Sequence, residues 1–114
     1  MLHFMKNMGL HNLDANCLMQ IEWLETAANE FEAAIAWLEE RNLIAANDLA
    51  RTALFQIDQL KHFPMIGRVG RDSKTRELVI TQSRYIAVYR ISTSKHLIEV
   101  LAFKHEAIFW PEEF

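Results

Sequence analysis

From Met19 onward the chain alternates between apolar and polar positions. In MQIEWLE, Ile21 and Trp23 are interleaved with Gln20 and Glu22, a period of two that predicts a strand with one buried face. The spacing then widens to three and four residues at Ala27, Phe31, Ala34, Ile35 and Leu38, the stripe of an amphipathic helix. Thr26 is its expected N-cap, and its end is expected near Arg41 and Asn42. Leu49, Ala53, Ile57 and Leu60 form a second stripe that Pro64 brings to a stop. A connection this short makes the two helices antiparallel neighbours.

Beyond Pro64 the period changes again. IGRVGRDSKT holds two of the three glycines and reads as a turn or a bulged short strand. RELVIT, RYIAVYRIS and HLIEVLAFK are rich in β-branched and aromatic residues. The breaks between them, at Gln82 and Ser83 and from Ser92 to Lys95, are hairpin-sized, so neighbouring strands should pair antiparallel. RYIAVYRI is apolar on both faces, as a central strand is when helices cover one side and something else covers the other. The expected architecture is α+β: an N-terminal strand, then two antiparallel helices packed on a three- to four-stranded antiparallel sheet. Leu49, Ile57, Leu78, Val88 and Val100 are expected between helices and sheet. Residues 1–18 carry neither periodicity and read as an N-terminal extension; the domain proper is 19–114.

Composition adds bounds. At 114 residues the chain suits one domain with its own core. No stretch approaches the roughly 20 apolar residues that cross a bilayer, and the start lacks a basic region followed by an apolar run. Cys17 is the single cysteine, an incidental thiol that forms no internal disulfide and suits a cytoplasmic setting. The net charge of −3 conceals an asymmetry: residues 1–60 hold three basic against nine acidic side chains, whereas residues 61–105 hold nine basic against three acidic. A segment of net +6 attracts phosphates or an acidic protein if its charges share a face; otherwise it is a solvated sheet edge.

Five stretches, MQIEWLETA, FPMIGRVGR, TRELVI, YIAVYRI and IEVLAFKHEAIFWP, resemble the RelE/ParE superfamily in order and spacing over about residues 19–111; residues 1–18 fall outside the match. The resemblance implies a growth-inhibiting toxin of a type II toxin–antitoxin pair. A cognate antitoxin would wrap it, neutralise its basic surface and form a hetero-oligomer with it. RelE-like members cut messenger RNA on the ribosome; ParE-like members poison DNA gyrase. RelE-like enzymes carry a basic residue just after the tyrosine that opens the YIAVYRI strand. Ile86 stands there, which looks ParE-like. An inactive, antitoxin-binding member is a third reading.

Metal-free RNA cleavage needs a deprotonated 2′-hydroxyl, a stabilised phosphorane and a protonated leaving oxygen. If the chain is a nuclease, a metal-independent endoribonuclease, Arg76, Arg90 and His105 are its catalytic candidates. They matter only if strand register brings them to one face. For target or antitoxin binding the candidates are Arg68, Arg71, Lys74, Arg76, Arg90, Lys104 and Trp110. Against these stand ordinary structural roles. Arg90 would pair with Glu77 or Glu99, His105 would be a hydrogen-bonded strand end, and Glu77 would point away from Arg76. Tyr85 and Tyr89, four apart on one strand, suit a base-stacking platform or, more simply, the core. The five histidines show no metal-ligand spacing, so no metal or cofactor is expected, nor any membrane partner.

Overall fold

The computed structural model describes residues 19–107; the expectations for residues 1–18 and for Trp110 lie outside them. Strand β1 (Gln20–Trp23) leads into α1 (Glu25–Glu39) and α2 (Leu43–Asp58), which a single 3-10 turn (Gln59–Lys61) extends. β2 (Arg68–Val69), β3 (Arg76–Val79), β4 (Tyr85–Ser92) and β5 (Leu97–His105) follow. The sheet has five strands in the order β1-β5-β4-β3-β2. It is mixed: β1 runs parallel to β5, and every other neighbouring pair is antiparallel. The two-helix α+β architecture is therefore present with four strands after the helices, and the N-terminal strand makes the sheet five-stranded and mixed where an antiparallel one was expected. The glycine-rich stretch contributes the two-residue β2, and β1 joins the far edge in parallel.

Two local features depart from the sequence pattern. α1 is capped not by Thr26 but at Leu24, without a side-chain cap. Leu24 is still in the sheet, donating its N–H to the Val100 carbonyl, while its own carbonyl already accepts from Ala28. The strand thus feeds the helix directly, its last sheet bond and the first helical bond both made at Leu24. α2 is capped conventionally, the Asn42 Oδ1 accepting from the Ala45 N–H at 3.0 Å.

The second departure is a bulge. Opposite β4, Val88 pairs with Ala102 and Tyr89 with Val100, so Leu101 is an extra residue in β5. This shift lets Val100 and Phe103, three apart, both enter the core beneath the helices. That core joins Ala27, Phe31 and Ala34 of α1 with Leu49, Ala53 and Ile57 of α2 and the inner sheet face. The Phe31 ring packs on Phe103 at 5.1 Å and on Trp23 at 5.3 Å between centroids.

Leu49, Ile57, Leu78, Val88 and Val100 are all buried, as expected. Val88, however, does not lie between helices and sheet. Ala87 and Tyr89 belong to the helix-side cluster, whereas Ile86 and Val88 are buried outside it; strand alternation sends these two to the opposite face.

Candidate functional site

Register decides what the basic side chains can do together. Arg76 lies opposite Tyr89, Arg90 opposite Glu99, and His105 opposite Tyr85. Arg76 therefore shares the helix-side face with Tyr89, and Arg90 is on the other face. His105 faces the helix side too, but its strand partner is four residues from that of Arg76, about 13 Å along β4. The three nuclease candidates do not converge.

Each has local partners. The Arg76 guanidinium donates to the carbonyls of Gly67 at 2.6 Å and Met65 at 3.2 Å. Arg90 Nε is 2.7 Å from Glu99 Oε1, its cross-strand neighbour, one of the two structural pairings open from the sequence. The His105 ring meets Tyr85 edge-on at 5.1 Å, and its Nδ1 accepts from the Ala107 N–H at 3.1 Å.

Among the binding candidates, Arg68 pairs with Glu77 at 3.0 Å, across the β2–β3 register. The Glu77 side chain is only 2% exposed and lies on the face away from Arg76, as alternation requires. Lys104 pairs with Glu30 of α1, whose other carboxylate oxygen accepts from the Phe103 N–H at 2.9 Å. Glu30 thereby ties α1 to β5 beyond the point where β1 ends. Arg71 and Lys74 sit in the exposed turn between β2 and β3, where Asp72 Oδ1 accepts from the Lys74 N–H at 2.9 Å.

The tyrosines are structural. Tyr89 is fully buried, and its hydroxyl donates to the Pro64 carbonyl at 2.6 Å while accepting from the Gly67 N–H at 2.9 Å. Burial pushes its pKa up, against the opposing pull of the Gly67 N–H and the Arg76 charge. Burial also raises Tyr85, whose ring stacks on Phe103 at 5.2 Å. Neither ring is a free platform for bases.

Two apolar surfaces escaped the sequence reading. One is a groove of about 740 Å³ between the helix pair and the β3–β4 turn, lined by Trp37, Leu38, Leu49, Arg84, Tyr85 and His105 among others. The other is the segment from Phe63 to Val69, which leaves Phe63, Met65, Ile66 and Val69 exposed. The signal for the second was present: an apolar FPMIG run where turn chemistry called for polar residues. Among the described residues no group of three or more His, Cys, Asp or Glu is placed to hold a metal ion. No helix among them is long and apolar enough to cross a membrane.

Comparison with known proteins gives a consistent picture. The family model for the ParE toxin of the type II toxin–antitoxin system, parDE, matches residues 21–109. The chain is 32% identical over 93 residues to Y4kP of Sinorhizobium fredii (strain NBRC 101917 / NGR234), a candidate toxin, covering 82% of this chain and 94% of Y4kP. A solved structure described as a chromosomal ParDE TA system from P. aeruginosa has the same fold. It aligns with a TM-score of 0.69 at 18% identity, covering 77% of this chain and 96% of that one.

Proposed function

The chain belongs to the ParE toxin family of type II toxin–antitoxin systems, and from that premise we propose that it arrests growth in the cytoplasm by inhibiting DNA gyrase until a cognate antitoxin sequesters it. The observation that carries this reading over mRNA cleavage is the separation of Arg76, Arg90 and His105 across two sheet faces and about 13 Å of strand. General acid–base chemistry needs its groups within hydrogen-bond reach of one substrate. Ile86, where RelE-like enzymes carry a basic residue, is fully buried and offers no charge.

Target contact then draws on the positive charge of the β2–β3 hairpin, where Arg71 and Lys74 sit in the exposed turn, while Arg68, Arg90 and Lys104 are paired with Glu77, Glu99 and Glu30 and Arg76 with backbone carbonyls. The antitoxin is assigned to the groove beside Trp37 and Tyr85. That concave, largely apolar surface suits an amphipathic segment laid along it, and the complex is a hetero-oligomer of the two proteins.

Inducing the chain without antitoxin tests the proposal. DNA replication should stop and the DNA-damage response should appear before translation falters. Codon-positioned cuts in messenger RNA on translating ribosomes, abolished by His105→Ala with the fold intact, would replace gyrase with the ribosome as target.

A further inference from the structure

The connection between the 3-10 turn and β2 is unusual in what it exposes. Phe63, Met65, Ile66 and Val69 are each 54–66% exposed, four large apolar side chains within seven residues. Large apolar side chains left this exposed and this close in sequence point to a contact site. The segment is also held. Tyr89 bonds the Pro64 carbonyl and the Gly67 N–H, and Arg76 bonds the carbonyls of Met65 and Gly67. Two sheet residues thus fix the backbone from Pro64 to Gly67 and leave the apolar side chains outside. A surface ordered in advance loses little entropy on docking.

The charge around it narrows the partner. Residues 61–76 carry Lys61, Arg68, Arg71, Lys74 and Arg76 against Asp72 and no other acid until Glu77. Lys61 is engaged by Asp58, Arg68 by Glu77 and Arg76 by backbone carbonyls, so the charge the segment offers a partner is centred on the exposed β2–β3 turn with Arg71 and Lys74. A nucleic acid backbone would draw chiefly on these cations and has no use for four apolar anchors. A protein surface with an apolar centre and an acidic margin matches both features. The groove beside Trp37 is concave and suits a segment laid into it, whereas Phe63, Met65, Ile66 and Val69 are each more than half exposed, the shape of a knob for a recess in a folded partner.

We infer that Phe63–Val69 is the docking face by which the protein grips its target, inserted in an apolar, acid-rimmed recess of that protein. The inference rests on the gyrase reading and adds the contact surface to it. Tyr89 and Arg76 are positioning residues that hold the face in shape.

The experiment measures binding of the purified full chain to purified DNA gyrase holoenzyme, using wild type, the pair Met65→Asp with Ile66→Asp, Tyr89→Phe, and Ile44→Asp on the remote surface of α2. The Asp pair should bind at least about tenfold more weakly, a loss typical of an interface anchor, with an unchanged melting temperature. Ile44→Asp should match wild type, and Tyr89→Phe should weaken binding by slowing association with a loosened face. Affinity should fall far less between about 50 and 200 mM salt than the roughly thousandfold or more expected of many phosphate contacts. Should the Asp pair unfold the protein, Met65→Ser with Ile66→Ser carries the same test. Wild type failing to bind gyrase overturns the target reading and this inference with it. Wild-type binding matched by the Asp pair leaves gyrase as target and overturns this surface alone. Steeply salt-dependent binding to duplex DNA without gyrase, or loss of antitoxin binding alone in the Asp pair, also overturns it.

Discussion

Tyr89 and Gly67 share one space. The tyrosine hydroxyl accepts from the Gly67 N–H, and a Cβ added at Gly67 would stand 2.7 Å from both the ring Cε1 and the hydroxyl oxygen. Gly67→Ala should therefore destabilise the fold by about 1–3 kcal/mol through overpacking. Tyr89→Phe should cost a similar amount, about 1–3 kcal/mol, because it strands a buried N–H. Combined, they should cost less than the sum, since Phe removes one of the two clashing atoms. Urea denaturation of the four proteins checks this; strict additivity would show that the two residues do not meet.

The same phenol makes stability sensitive to alkali. Burial holds the Tyr89 pKa above its ordinary 10.0, and Tyr85 is raised likewise. The folded state thus keeps these protons where the unfolded chain loses them. Their contribution is complete below about pH 10 and declines as pH rises through the folded pKa values. The denaturation midpoint should fall above that point in wild type and fall less in Tyr89→Phe. Equal slopes for both would refute the assignment.

The two cross-strand ion pairs on the outer sheet face should differ in weight. Glu77 is 2% exposed and Glu99 14%, while their arginines are about equally open at 50% and 47%. Arg68→Ala leaves the more buried carboxylate uncompensated and should cost about 2–4 kcal/mol. Arg90→Ala should cost no more than about 1 kcal/mol. Thermal melts of the two variants decide, and a reversed order would contradict the register.

Val88→Ala should cost about 1–3 kcal/mol, as truncation of a buried side chain does. Because Val88 lies on the face away from the helices, Phe31→Leu in α1 should add to it independently. Coupling beyond about 0.5 kcal/mol in a double-mutant cycle would place Val88 in the helix-side core.

Local patterns were legible in the sequence. The period-two run around Ile21 and Trp23, the helical stripes through Phe31 and Ile57, and the strand-rich segments after Pro64 all became the elements they indicated. What depended on distant pairing was not. Parallel docking of β1 on β5 joins Ile21 to Ile98, and Glu30 meets Lys104 across 74 residues; no local signal specifies either. The bulge at Leu101 hid the core face of β5, because it brings Val100 and Phe103 inward at a spacing of three. Among the site candidates, the alternation that separates Arg76 from Glu77 was readable. The register that parts Arg76 from His105, and the binding of Arg76 to the Phe63–Val69 segment, required the fold.

The central claim, that this ParE-family chain acts on gyrase and not as a nuclease, is tested most directly by titrating the purified protein into a DNA supercoiling reaction with purified gyrase. The reaction should be inhibited in proportion to added protein, His105→Ala should inhibit as well as wild type, and relaxed or cleaved DNA should accumulate. Undisturbed supercoiling at a large excess of folded protein, together with cleavage of messenger RNA on purified translating ribosomes, would contradict it.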